Sequence, residues 1–257
     1  MSKVHDIEAI LWYAYRQGLI LPAIVSHLLN DGKAVDSKLR DLEGKQAIRQ
    51  WNREIQSRYS YGLIDTAGCN RLGVQASKAT QLTPTRLDQR IGLAWFCAME
   101  AYHRQVLLAS ELRSCFGTSA NNKHRHVLSN EFGCPVVLRV YHAGSTQRAA
   151  RDHVTSFLSE HRRKDGIATE LDNGRYGLAV LGSNKVRVAE LREEFEQVGF
   201  SGQLRIVVGL GPTAETYSDA LAESRVGATR MGAGNGACQT AVNAMPANEL
   251  RSVSEVG

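Results

Sequence analysis

The side chains best suited to chemistry in this sequence cluster between Asn121 and Arg125. Read as part of a helix over 120–131, Asn121, Asn122, Arg125 and Ser129 share one side, Lys123 and Asn130 lie at its margins, and Ala120, His124, Val127 and Leu128 turn inward. An arginine pairs in bidentate fashion with guanine and an asparagine with adenine, so this face has the chemistry of base reading in a DNA major groove. Arg104, Arg113 and Arg139 flank it and suit phosphate contacts that fix orientation. His124 and His126 stand two residues apart, which on a helix sends them to different faces. With no cysteine or carboxylate at a completing spacing, neither a metal nor any other cofactor is expected.

Three enzymatic patterns compete with this one. A metal-dependent nuclease needs an acid at one strand end and an acid, a spacer and a lysine on the next strand. Glu170 and Asp172 could supply the first acid, but the following run, Tyr176 to Leu181, carries no acid and no lysine, and Lys185 lies beyond Gly182. The glycines of Val207 to Thr213 sit between a strand and a helix, as in phosphate-binding loops, without the third glycine of the dinucleotide fingerprint or the Gly-Lys-Ser/Thr of the P-loop. Tyr141, His142 and Tyr176 suggest acid–base chemistry or a strand-transfer tyrosine, but no His-x-His pair is expected on a strand to hold the metal such a step requires. Binding is therefore favoured over catalysis.

The elements that must position these residues follow from periodicity. Pro84 and Asp88 open a helix whose apolar positions Leu87, Ile91, Ala94, Trp95, Ala98, Ala101 and Tyr102 keep helical spacing. A second helix is expected from Val106 to Phe116, with Gly117 after it, then the reading helix, then a strand from Pro135 to His142. Helix, turn, helix, turn, helix, strand is the order of a winged helix-turn-helix, placed at 83–142. Residues 1–82 read as a helical N-terminal region and linker, with helices over 6–29 and an ion-pair-laced helix or helix pair over 36–58. Arg49, Arg53 and Arg58 of the latter could touch phosphate. Residues 143–225 read as a small mixed α/β domain. It has a helix from Ser145 to about Lys164, strands 167–171 and 175–181 around an Asp172-Asn173-Gly174 hairpin turn, a helix over 188–198, a strand over 203–208 and a last helix over 213–223. Residues 226–257 have the composition of a disordered tail. The fold class expected is α+β or α/β.

Charge supports the same partner. Residues 1–142 hold 18 basic against 12 acidic side chains, residues 143–257 hold 13 against 14, and the whole chain is +5. Five scattered cysteines form no C-x-x-C pair, which disfavours a disulfide framework or a zinc knuckle. No apolar run has the length of a membrane span, and no signal peptide is evident, so a cytoplasmic protein is expected.

A basic winged helix-turn-helix followed by a small α/β domain resembles the replication-relaxation group of plasmid and mobile-element proteins. The stretch His126 to His142 (HVLSNEFGCPVVLRVYH) is a local echo of it. In that group a degenerate restriction-endonuclease-like domain follows the DNA-binding module. The resemblance implies a non-enzymatic, sequence-specific binder of double-stranded DNA that serves transcription, replication or transfer of a mobile element. Its α/β domain would form a homodimer or hold a protein partner. A metal-dependent nuclease of the same fold and a protein-interaction module without nucleic acid are the alternatives.

Overall fold

The computed structural model describes residues 3–29, 35–53, 59–76, 78–100, 102, 104–116, 124–142, 147–163, 165–198 and 204–231. The fold is mixed α+β. Its first unit is three helices and a hairpin: α1 (Lys3–Gln17), α2 (Pro22–Leu29), α3 (Val35–Gly44), β1 (Ile48–Arg53) and β2 (Tyr59–Ile64), followed by the short α4 (Thr66–Arg71). Ile10, Leu11 and Ala14 of α1 fall at helical spacing and are fully buried against Val25 of α2 and Leu39 and Leu42 of α3. Gly18 ends α1 with φ +64°, a conformation that costs glycine little. The chain then passes through Ile20, which exchanges both backbone hydrogen bonds with Gly62 of β2, 2.7 and 2.9 Å. That bridge ties the entry of α2 to the foot of the hairpin.

Strand β1 replaces the later part of the helix or helix pair expected over 36–58, of which residues 54–58 lie outside the described residues. Residues 48, 51 and 55 mimic helical spacing, but Trp51 sits opposite Tyr61 in the register and stacks on it, with centroids 5.7 Å apart at 17°. A cross-strand aromatic pair of this kind stabilises a hairpin in a way that no i,i+4 ion pair matches. The break from α3 comes at Gln46, whose φ is +56°.

The second unit runs α5 (Pro84–Ala98), β3 (Arg104–Val106), α6 (Ala109–Phe116), β4 (Arg125–Ser129), β5 (Val136–His142), α7 (Gln147–His161), α8 (Asp165–Asp172), β6 (Tyr176–Gly182), α9 (Lys185–Val198), β7 (Arg205–Leu210) and α10 (Tyr217–Met231). Its sheet has the order β3-β4-β5-β6-β7, antiparallel from β3 to β5 and parallel from β5 to β7. Side chains alternate along β5. Val137 faces Val154 and Phe157 of α7, Ile167 and Leu171 of α8, and Leu191 and Phe195 of α9; Leu138 and Val140 face Leu93, Phe96 and Cys97 of α5. With helices on both faces, every residue of β6 is buried. The other side of α5 (Leu87, Ile91, Ala94, Trp95, Ala98) meets Leu19, Leu21, Ile24, Tyr61 and Leu63 of the first unit and Ala214 and Tyr217 beside α10. Helix α5 is thus enclosed almost all round and joins the two units.

Three expected elements change identity. The third helix of the 83–142 module is strand β4, so this segment is not a winged helix-turn-helix. Val127 enters the α5 side of the sheet while His126 and Leu128 face the other, a period of two that pairs with both β3 and β5. The strand expected at 167–171 is α8: Ile167 and Leu171, four apart, are both buried on one helical stripe. The hairpin turn at 172–174 is the C-terminus of that helix, closed by bonds from Gly174 N–H to Leu171 O and Arg175 N–H to Glu170 O, with Gly174 at φ +66°. The first six residues of the tail expected from 226 are helical, since α10 continues to Met231; residues 232–257 lie outside the described residues.

Candidate nucleic-acid interface

The seven side chains expected to meet DNA do not form one surface. Asn121, Asn122 and Lys123 lie outside the described residues. Arg125 is exposed at the start of β4, and Arg113 is exposed on α6 with Nε directed to Ala109 O. Arg104 and Arg139 are structural. The Arg104 guanidinium lies 3.9 Å over the Phe96 ring, donates to Phe96 O and pairs with Glu131 at 2.6 Å and Glu100 at 3.5 Å. Arg139 donates to Glu160 at 3.0 Å and to His124 Nε2 at 2.6 Å, beneath the Phe157 ring. Both arginines are more than nine-tenths buried, so neither reaches a phosphate.

The face of the sheet around Arg139 is rich in titratable groups. On a strand, residues two apart share a face, so His124 and His126 converge here instead of diverging, and His126 is the more buried of the two. A His-x-His pair does therefore stand at a strand, contrary to expectation. Arg139 excludes it as a cation site, because its guanidinium occupies the His124 Nε2 lone pair. Among the described residues no cluster of histidine, cysteine or carboxylate side chains could hold a metal ion. His126 Nε2 lies 3.0 Å from Tyr176 Oη, and His161 Nδ1 lies 2.8 Å from Phe157 O. The void they share with Phe116 is about 10 Å³, room for about one water. Burial holds His126 down to about 3, aided by the Arg139 charge and by His124 and His161, and burial pushes Tyr176 up. A neutral His126 beside one paired guanidinium makes a polar core. At 2% exposure Tyr176 is out of reach of a DNA strand.

The nuclease constellation is dispersed. Glu170 and Asp172 are on α8, before β6, while Lys185 opens α9 after it and pairs with Glu223 at 2.7 Å. The seven residues of β6 separate the two sets by roughly 20 Å. The glycine loop after β7 is also occupied. Leu210 N–H donates to Glu100, Gly211 N–H to Gly182 O, Thr213 N–H to the Thr216 hydroxyl and Ala214 N–H to Asp88. With these donors engaged inside the protein, the loop is not a phosphate cradle.

The first unit has an exposed polar helix face. On α3, Leu39 and Leu42 are buried while Asp36, Ser37, Arg40 and Asp41 are exposed along the opposite face, with Lys38 half-buried between. The acids toward its end are turned to local work: Asp41 pairs with Lys45 at 2.7 Å, and a Glu43 carboxylate oxygen accepts Gln50 N–H at 3.2 Å, bracing α3 against β1. Asp36 sits in the first turn, where the helix dipole favours it. Arg49 is exposed on β1, 5.6 Å from the Trp51 ring. The signal for this unit was present in the sequence as a pair of short helices around Asn30-Asp31-Gly32, followed by the aromatic runs at Trp51 and Tyr59 to Tyr61.

The two units are locked together by arginines. Arg16 forms a two-pronged ion pair with Glu111, 2.7 and 2.8 Å, and donates to Val106 O. Arg90 of α5 donates to Gln17 O at 2.6 Å, capping the C-terminus of α1. Among the described residues, no helix is long and apolar enough to cross a membrane. Set beside known proteins, the chain matches no family model, no curated protein and no solved structure.

Proposed function

We propose that this chain is a sequence-reading binder of double-stranded DNA, and that its reading element is the α2–α3 pair with the β1–β2 hairpin as the wing. The observation that carries this reading is the order helix, bridge, helix, helix, hairpin within 3–64, closed by the Ile20–Gly62 bridge. That is the order of a winged helix-turn-helix, in which the second helix of the turn enters the major groove with its N-terminal residues at the base edges. Ser37, Lys38 and Arg40 are the α3 residues of suitable type there, and an aspartate such as Asp36 can accept from cytosine. Arg49 and Arg53 stand on the wing strand. Under the resemblance to replication-relaxation proteins, such a binder would serve an accessory or regulatory role in a mobile element. Strands β4 and β5 carry neither carboxylate nor lysine, which favours binding over metal-dependent cleavage.

The test is fluorescence anisotropy on a random-sequence duplex pool across a salt series, with sequencing of the retained fraction. Enrichment of one motif that Arg40→Ala relaxes, at a cost of about 1–3 kcal/mol, supports the reading. Absence of binding at low salt, or retention without a motif, overturns it.

A further inference from the structure

Residues 66–142 hold nine basic side chains and four acidic ones. All four acids are engaged. Asp88 accepts Ala214 N–H, Glu100 accepts Leu210 N–H, Glu111 takes Arg16, and Glu131 takes Arg104. Arg86 and Arg90 stand one turn apart on α5, in a helix whose first turn contains no acid. Arg125 begins β4 opposite Val140, two residues before His142, and the His142 ring lies against Gly92 of α5. That register brings Arg125 to the same end of α5 as Arg90. The neighbouring charges that act on Arg90 are Arg125 and Arg86; with burial as the largest cause, they lower its guanidinium to about 10. Arg90 is held by Gln17 O at the seam with the first unit, while Arg86 and Arg125 are exposed and pair with no carboxylate among the described residues. Three like charges kept together without a counterion carry a standing repulsion that an anion relieves.

We infer that Arg86, Arg90 and Arg125 form a phosphate-contact site beside the seam between the two units, which grips the backbone of the duplex that the first unit reads. The inference rests on the DNA-binding reading. It adds a second point of contact, indifferent to sequence, on the sheet unit.

The experiment uses the full chain and a random-sequence 30-base-pair duplex, with log K measured against log salt. Arg86→Gln with Arg125→Gln leaves Arg90 and its structural bond untouched. Two lost phosphate contacts lower the salt slope by about 1.8, since each contributes about 0.9 on B-form DNA. The motif retained by the double variant stays that of the wild type, and Arg86→Lys with Arg125→Lys restores the slope. An unchanged slope in the glutamine variant, beside a wild type that binds with strong salt dependence, overturns the phosphate site and leaves the α3 reading standing. Failure of the wild type to bind duplex at low salt overturns both. A changed motif with an unchanged slope assigns these arginines to bases and overturns the backbone role.

Discussion

Acidification should destabilise this protein through the buried His126. His126 is 4% exposed, faces the Tyr176 hydroxyl and shares its pocket with the Arg139 guanidinium, so its folded form is neutral down to about pH 3. In the unfolded chain the same imidazole takes a proton near pH 6.5. The folded value is the lower one, so the contribution to stability is complete above pH 6.5. It is lost as the pH falls, because the unfolded state binds the proton first. At ~1.36 kcal/mol per pH unit the loss is ~0.8 kcal/mol at pH 6 and ~2 kcal/mol at pH 5. Any folded value well below 5 gives the same figure, so the result does not depend on where that value lies. The assay is urea unfolding at pH 7.5, 6.0 and 5.0 at fixed ionic strength, on the wild type and on His126→Gln, which keeps a polar partner for Tyr176. His142 and His153 are also lowered by burial, each to about 4, and their losses occur in both proteins. Between pH 7.5 and 5.0 the variant should therefore lose ~2 kcal/mol less than the wild type. Equal losses in the two proteins would refute a buried neutral His126.

Other outcomes follow from contacts of equal definition. Gly18→Ala places a Cβ against the Arg90 guanidinium at a φ of +64°, and should lower stability by more than ~1 kcal/mol in the same urea assay. Arg104→Met leaves Glu131 without its 2.6 Å partner and should cost ~3–5 kcal/mol, read as a fall in the unfolding midpoint. Asp172→Ala and Lys185→Ala sit on opposite ends of β6 and should each change stability by less than ~1 kcal/mol and leave duplex binding unaltered. A large loss of binding in either would return attention to the nuclease residues.

The sequence was most legible where one helix face is apolar and the pattern runs long. The α5 stripe from Leu87 to Ala98, the helices at 147–161 and 185–198, and the buried runs of β5 and β6 are all readable from periodicity and proline or glycine stops. Short elements were not. His126 to Ser129 fits a helix or a strand equally over so few residues, and the decision came from pairing with Gln105 and Val137, which no local pattern contains. Ile167 and Leu171 carried a helical spacing that the adjacent Asp-Asn-Gly disguised as a hairpin. The most consequential difference is the first unit. Its helices were visible around a turn signal, but the charge alternation after Leu42 hid the hairpin that follows them. Of the arginines read as phosphate contacts, Arg104 and Arg139 are buried and Arg113 is exposed. Composition says nothing about whether an arginine such as Arg104 is spent inside the core or left in solvent like Arg125.

The enclosure of α5 has a consequence for how the chain acquires its shape. Leu19, Leu21, Tyr61 and Leu63 are covered by α5 and by Ala214 and Tyr217, so the cover over the apolar side of the first unit is not complete until the distant C-terminal part of the chain exists. At 5–20 residues per second the ~150 residues between Leu63 and Tyr217 take roughly 8–30 s to synthesise. During that interval the nascent chain carries its first unit with one apolar flank partly open, and the contacts that close it span most of the sequence, which slows the final docking step. The first unit, made before the second, is thus finished only after it.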